Sequence, residues 1–142
     1  GKELQSLKDY VAEKGVARRV KFTGQVLPQE VPLYIGAADA LVFPRLSGTN
    51  TPLKIYSFLK SGKPVVATRL WTHTQVLDDR IALLTGTEPE AMADGIRRAL
   101  FSDEGRKTAE AAKRFADKKY SYARYRDKLT LTLKKALGQE ET

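Results

Sequence analysis

Residues 43–68 read FPRLSGTNTPLKIYSFLKSGKPVVAT, and their order of apolar, polar and turn residues predicts the fold class. An apolar segment ends at Phe43, and a loop of small polar residues follows it. Pro52 suits the beginning of a helix and Gly62 its end, so the spacing predicts a helix between them. The run KPVVAT then predicts a strand. This strand–loop–helix–strand order is typical of a parallel sheet, whose neighbouring strands are joined by a helix.

The same alternation continues on both sides of this stretch. Apolar periodicity predicts helices in KELQSLKDYVAEKG, QEVPLYIGAADA and EPEAMADGIRRALFS, and two more over about 103–117 and 121–137. Strands are predicted in RVKFTG, DALVFP and IALLTG, and a short helix or turn in WTHTQVLDD. We therefore expect an α/β fold with a doubly wound parallel sheet. Such a sheet normally opens on a strand, whereas this chain opens on a helix, so we expect its first strands to be missing.

Composition excludes several classes of protein. The chain has 142 residues, of which 42% are hydrophobic and 30% charged, as in a folded globular domain. It contains no cysteine, which excludes disulfides and thiolate catalysis. No apolar run is long enough to span a bilayer, and the polar residues 1–13 show no signal peptide. We expect a cytoplasmic protein with at most peripheral contact at the inner face of the cell membrane.

The basic charge lies mainly in the last third of the chain. The net charge is +8, and residues from Arg97 onward carry 13 Lys and Arg against 7 Asp and Glu. Such a balance suits nucleic acid, an anionic membrane or an anionic substrate, or simply solvates long exposed helices. In YSYARYRDKL, the tyrosines can stack on bases and the interleaved Arg and Lys can contact the phosphates of nucleic acid. Its helical spacing nevertheless places Tyr122, Tyr125 and Leu129 on one stripe, which favours packing on the same domain and no nucleic-acid partner.

The loop RLSGTNTP holds the candidate ligand-binding residues. Ligands of open parallel sheets bind at the carboxyl ends of the strands, where this loop lies. A glycine lets the backbone approach a ligand, the small polar side chains offer hydroxyl and amide groups, and the following helix start and cations favour a diphosphate. These candidates are Arg45, Gly48, Thr49, Asn50, Thr51 and Lys54. The alternative is an ordinary strand-to-helix turn, capped by one of its polar residues.

Several separate pieces of the sequence match one family in order. They are Phe-Thr-Gly at 22–24, Ala-Ala-Asp-Ala at 37–40, GKPVVA at 62–67, EPEAMADGI at 88–96 and YSYARY at 120–125. Over nearly its whole length the chain resembles the carboxy-terminal, nucleotide-sugar-binding domain of GT-B-type glycosyltransferases, the group 1 (family 4) retaining enzymes. The resemblance implies that residues 1–142 are a single, partial donor-binding domain of a larger two-domain enzyme. It also implies that the last helix, over about 121–137, packs back or toward the absent domain.

The resemblance also implies a site. In the family, two glutamates eight positions apart lie near the donor sugar and the ribose, and the equivalent positions here are Thr49 and Ser57. Both glutamates are absent, so the charge-assisted bonds of a carboxylate are lost. Residues beside the nucleobase would be Gly24, Gln25 and Val26. The family's diphosphate-binding Arg and Lys, its acceptor site and its proposed catalytic residue have no counterpart here. The catalytic residues are therefore unknown.

The resemblance implies an enzyme that moves a sugar, with retention, from a nucleoside diphosphate sugar to a hydroxyl of a glycan or lipid-linked acceptor. That enzyme would need no metal and no cofactor, and this fragment alone would be inactive. His73, the only histidine, follows the KPVVAT strand and is a further donor-binding candidate or a turn residue. Trp71 is expected to be a packing anchor. The loss of both glutamates leaves a non-catalytic interaction module as the alternative, with a basic nucleic-acid-binding domain less favoured.

Overall fold

Three short apolar runs form the sheet. In the computed structural model, which describes residues 3–138, these are β1 (Leu41–Phe43), β2 (Val65–Thr68) and β3 (Leu83–Thr85). They run parallel in the order β1-β2-β3, with Val42 opposite Val66 and Ala67 opposite Leu84. All four residues of β2 are buried, as expected for the central strand of a sheet covered on both faces. The predicted parallel sheet is confirmed.

Helices connect and flank these strands. They are α1 (Leu4–Glu13), α2 (Val31–Ala37), α3 (Lys54–Lys60), α4 (Trp71–Thr74), α5 (Pro89–Phe101), α6 (Asp103–Lys119) and α7 (Tyr122–Ala136), with a 3-10 turn at Ala17–Arg19. All predicted helices are therefore present. The chain divides after Pro32 into two compact units. None of the helices within residues 3–138 has the length and apolarity needed to cross a membrane.

The first unit contains α1 and the segment that follows it. α1 is followed by Gly15, whose φ of +67° lies in the left-handed region that glycine adopts without strain. The predicted strand in RVKFTG is wrong. Val20 has an extended backbone (φ −113°, ψ 122°), but residues 20–23 take no part in the sheet formed by β1, β2 and β3. Alternating apolar residues favour a strand only where a neighbouring strand supplies hydrogen bonds.

In the second unit, helices pack on both faces of the sheet. One face buries Phe43, Val65, Ala67 and Leu84 together with Ile55 and Leu59 of α3 and Ala112 and Ala116 of α6. The opposite face buries Val66 and Leu83 against Met92 and Ala99 of α5. A Cβ at Gly95 would lie 2.5 Å from Thr85 Cγ2 and 2.9 Å from Val66 Cγ1, so its bare backbone lets α5 approach the strands. This two-sided packing confirms the doubly wound fold class.

The corner between α5 and α6 is tightly packed. Ser102 Oγ accepts a hydrogen bond from the Glu104 amide and caps α6. Arg98 Nε donates to Glu104 Oε2 at 2.9 Å across the corner. A Cβ at Gly105 would lie 2.0 Å from the carbonyl oxygen of Ala99. Only glycine therefore fits where the two helices meet.

The last helix and part of α5 are more exposed than the sequence predicts. Tyr122 is 76% exposed, Tyr125 64% and Leu129 45%, and α7 has no buried residue. The predicted packing of this stripe on its own domain is therefore not observed. Packing of α7 toward another domain stays a prediction. The apolar periodicity of EPEAMADGIRRALFS places Leu100 on one face with Met92, Ile96 and Ala99, but Leu100 is 41% exposed.

Candidate functional site

The β1–α3 loop (residues 44–53) leaves the carboxyl end of β1 and carries five of the eleven candidate residues. Its residues 46–50 are all exposed, including Leu46 at 71%, and Leu53 at its end is 82% exposed. The loop and the first turn of α3 contain two cations, Arg45 and Lys54, and no carboxylate. It is thus an accessible, positively charged segment at the sheet edge where ligands of parallel sheets bind.

Arg45 organises this loop from within. Its Nη1 donates to the backbone carbonyl of Asn50 at 3.0 Å, and its Nη2 lies 3.4 Å from Asn50 Oδ1. Gly48, with φ +153°, lies under the guanidinium, and a Cβ there would be 3.0 Å from Arg45 Cζ. The close approach predicted for Gly48 is therefore made by the Arg45 side chain of the same loop.

Two buried residues, Thr68 in β2 and His73 in α4, support the backbone of the loop. Thr68, the last residue of β2, donates from Oγ1 to the carbonyl oxygen of Arg45 at 2.7 Å. His73 in α4 is fully buried, and its Nδ1 lies 2.8 Å from the carbonyl oxygen of Thr68. A carbonyl only accepts, so Nδ1 carries the proton of this bond. The chain from His73 through Thr68 to Arg45 fixes where the loop begins.

His73 thus has a structural role that the sequence does not reveal. Its ring lies 5.7 Å from the Phe43 ring, centroid to centroid. Nε2 of His73 and Oγ1 of the neighbouring Thr72 are buried and have no hydrogen-bond partner within residues 3–138. Unpaired buried polar atoms are costly. Donor binding by His73 remains a prediction, and it would have to use this Nε2 atom.

The start of α3 differs from the prediction. The helix begins at Lys54, its N-cap residue is Leu53, and no side chain caps it, so capping by Thr49, Asn50 or Thr51 is wrong. The amides of Ile55 and Tyr56 donate to the carbonyls of Pro52 and Leu53, at 3.1 and 3.3 Å. These bonds, each from residue i to residue i−3, occupy two amides of the helix start, which is expected to face a diphosphate.

The side chains of the two family-equivalent positions are accessible. Thr49 lies in the exposed loop, and Ser57 lies on the exposed side of α3, as does Lys54. Asn50 is exposed, whereas Thr51 is half-buried. Six of the candidates therefore lie in the continuous segment from Arg45 to Lys54, and Ser57 lies one turn further along the helix.

The nucleobase candidates belong to the first unit. Gly24, with φ +68°, and Gln25 are exposed, and Val26 is half-buried. Gly24 and Gln25 line a cavity of about 590 Å³ together with Lys21, Phe22 and Thr23. A positive φ explains why a glycine occupies position 24.

Sequence reasoning missed Thr68 and Arg69 and misjudged Trp71. Thr68 is a polar residue at the end of an apolar strand, and this pattern is visible in the sequence. Arg69 follows it at the same edge and pairs with Asp79, with Nη2 2.6 Å from Oδ1. Trp71 is 71% exposed, so the expected packing anchor is wrong. Within residues 3–138, no three His, Asp or Glu side chains group to hold a metal ion.

A parallel three-stranded sheet, helices on both faces and a ligand-accessible loop at its carboxyl edge define a Rossmann-like α/β domain. The sequence profile of the family described as glycosyl transferases group 1 matches residues 1–102. The chain therefore belongs to the group 1 glycosyltransferases, which confirms the predicted resemblance. A search of curated protein sequences found no match.

Solved structures share the fold. Sucrose-phosphate synthase from Thermosynechococcus elongatus has a TM-score of 0.81 at 20% identity, over 99% of this chain. HepE from Anabaena, solved in complex with UDP-glucose, has a TM-score of 0.79 at 20% identity, over 93% of this chain. A glycosyltransferase from Rickettsia africae has a TM-score of 0.80 at 18% identity, over 96% of this chain. The matches span 36%, 36% and 37% of those chains, respectively. This chain is therefore similar to about a third of each.

Proposed function

We propose that this chain is the nucleotide-sugar-binding part of a glycosyltransferase, and that the β1–α3 loop contacts the diphosphate and sugar of the donor. The observation that carries the proposal is the exposed, carboxylate-free segment at the carboxyl edge of the sheet, formed by this loop with Arg45 and by the first turn of α3 with Lys54. Family membership supports it, as does the fold shared with HepE, whose structure contains UDP-glucose. A diphosphate needs positive charge, and this loop supplies it without competing acids.

Arg45 and Lys54 would stabilise the leaving diphosphate. As the bond between the sugar and the diphosphate breaks, negative charge grows on the phosphate oxygens, and fixed cations lower the energy of that transition state. Arg45 is held in place by its hydrogen bonds to Asn50, and its guanidinium carries further N–H donors for a phosphate. Retention of the sugar configuration is part of the proposal. Acceptor binding, on a glycan or lipid-linked intermediate, would fall to another domain.

The sugar and ribose would be held by neutral groups. Thr49 and Ser57 offer hydroxyls where the family has glutamates. A hydrogen bond to a carboxylate contributes about 1.5–3 kcal/mol, against about 1 kcal/mol for a neutral pair. We therefore expect weaker donor binding than in relatives that carry both glutamates. The proposed setting is the cytoplasm, with at most peripheral membrane contact.

The absence of both glutamates also favours a second candidate function. A domain that kept the fold and the basic loop can bind nucleotide as a non-catalytic interaction module. The two functions differ in one result, because only the enzyme transfers or hydrolyses the sugar in the full-length protein. Nucleotide binding alone supports both.

Calorimetric titration with UDP, GDP and ADP tests donor binding directly. We expect one of these nucleotides to bind the protein, and Lys54→Gln to weaken binding about tenfold because one charge-assisted contact is lost. Lys107→Gln is the matched control, since Lys107 is an exposed lysine of α6 far along the chain from the loop. If none of the three nucleotides binds, or if both variants weaken binding equally, donor binding at the loop is wrong.

A further inference from the structure

A groove in the second unit, the tyrosine–lysine groove, has no role in the function proposed above. It has a volume of about 560 Å³ and lies where the end of α6 and the beginning of α7 meet α3. It shares no residue with the candidates of the β1–α3 loop. Its size is within the range of small-molecule sites.

Four aromatic rings form much of the wall of this groove. They are Tyr56, Tyr120, Tyr122 and Tyr125. The rings of Tyr56 and Tyr120 meet edge to face at 4.8 Å, and Phe115 packs on Tyr120 at 5.7 Å. The Tyr56–Tyr120 pair, supported by Phe115, gives the groove an apolar wall against which a ring or an acyl portion of a ligand can pack.

Apart from Ser121, the rest of the lining within residues 3–138 consists of four cations and includes no acidic residue. They are Lys60, Lys119, Arg124 and Lys128. None of these four pairs with a carboxylate of residues 3–138. Lys119 Nζ is held over the Phe115 ring at 5.0 Å and the Tyr120 ring at 5.6 Å. An adjoining cavity of about 470 Å³ adds Lys118.

Four cations that pair with no carboxylate of the described residues favour a ligand with more than one negative charge. A phosphate carries close to two charges at neutral pH and offers several acceptor oxygens, whereas a carboxylate offers one charge. Lysine binds phosphate well as a compact point charge. We propose that the tyrosine–lysine groove binds a phosphate group whose apolar or ring portion packs on the tyrosines. The phosphate can belong to a soluble compound or to a lipid headgroup.

The tyrosines provide a local readout for a test. The chain has six tyrosines, and Tyr10 and Tyr34 lie outside the groove lining. In protein labelled with 3-fluorotyrosine, inorganic pyrophosphate should shift the fluorine NMR signals of the four groove residues and leave those of Tyr10 and Tyr34 in place. The double variant Lys60→Gln/Lys128→Gln should weaken this response about tenfold or more. Lys107→Gln/Lys134→Gln, which removes the same charge from exposed positions outside the groove, should change it less than about twofold.

Further experiments identify the source of the phosphate and distinguish binding at the groove from binding at the β1–α3 loop. Arg45→Gln should leave the fluorine shifts unchanged. Phosphatidylcholine vesicles with and without phosphatidic acid, whose headgroup is a phosphate monoester, test the lipid source, and binding that needs both phosphatidic acid and Lys60 with Lys128 also supports the proposal. Any of the following results would overturn the proposal. The two double variants weaken the response equally, all six tyrosines shift equally, or neither pyrophosphate nor vesicles give a response. Binding of oligothymidylate alone would overturn it in favour of nucleic acid.

Discussion

The Oγ1 of Thr68 donates a 2.7 Å hydrogen bond to the carbonyl oxygen of Arg45, which lies 23 residues earlier in the chain. The bond joins the end of β2 to the first residues of the β1–α3 loop. His73 continues it, since its Nδ1 donates to the Thr68 carbonyl. A buried network therefore positions an exposed cationic loop.

Thr68→Val tests this connection. Valine keeps the shape of threonine but leaves the Arg45 carbonyl unpaired, so the free energy of unfolding should fall by about 1–3 kcal/mol. Thr68→Ser keeps the hydroxyl and should lose less. A double-mutant cycle with His73→Leu, measured by urea unfolding, should give a coupling of at least about 0.5 kcal/mol. Additive effects would mean that the two residues stabilise the fold independently.

Gly48→Ala should disturb the loop rather than the core. A Cβ at Gly48 would lie 3.0 Å from Arg45 Cζ, and φ +153° is unfavourable for alanine. We expect the Arg45 guanidinium to leave Asn50 and nucleotide binding to weaken about tenfold. Gly15→Ala is the matched control. It also has a positive φ, +67°, but nothing lies within 4 Å of its added Cβ. Unchanged binding by Gly48→Ala would contradict the described loop geometry.

Gly105→Ala should destabilise the fold strongly. The added methyl group would lie 2.0 Å from the Ala99 carbonyl, and a backbone atom cannot move aside without opening the α5–α6 corner. We expect a loss of about 3 kcal/mol or more in thermal or urea unfolding. Gly36→Ala, where the new Cβ meets nothing within 4 Å, should be neutral or stabilising by about 0.5–1 kcal/mol. Similar stabilities for the two variants would show that the corner opens easily.

The same corner predicts a pH dependence of stability. The hydrogen bond from Arg98 lowers the pKa of Glu104 below its ordinary value of 4.5. A lowered folded-state pKa stabilises the fold above pH 4.5, and this contribution disappears as pH falls through the folded value. Glu104→Gln should therefore flatten the fall in stability below pH 4.5, and Arg98→Gln should flatten it similarly. The side chain of Glu104 is 45% exposed, so salt should reduce the effect. If Glu104→Gln leaves the pH profile of stability unchanged, the Arg98–Glu104 pair is not a source of the pH dependence.

Local patterns in the sequence predicted the second unit well. KPVVAT became the buried strand β2 because a continuous apolar run needs cover on both faces, and helices at 54–60 and 89–101 supply it. The loop after Phe43 is likewise predicted from its small polar residues, and its place at the carboxyl edge of the sheet follows from strand direction. Such features follow from residues that are close in sequence.

Other features depend on partners that periodicity does not specify. RVKFTG alternates like a strand but lies outside the sheet, and Tyr122, Tyr125 and Leu129 share a stripe but remain exposed. A stripe of apolar residues identifies one face of a helix, but it does not identify the element that packs on that face. The bond from Thr68 to Arg45 spans 23 residues and the burial of His73 depends on tertiary packing, so neither was visible as a motif.

Donor binding by the β1–α3 loop is measured by titration of UDP-glucose into the protein and its Arg45→Gln variant. We expect measurable binding to the unmodified chain, weakened about tenfold or more by Arg45→Gln because a charge-assisted contact to the diphosphate is lost. Arg126→Gln, which removes an exposed arginine of α7, should bind as the unmodified chain does. Equal affinity of all three proteins for UDP-glucose, or no binding by any of them, would contradict the claim that the β1–α3 loop holds the donor.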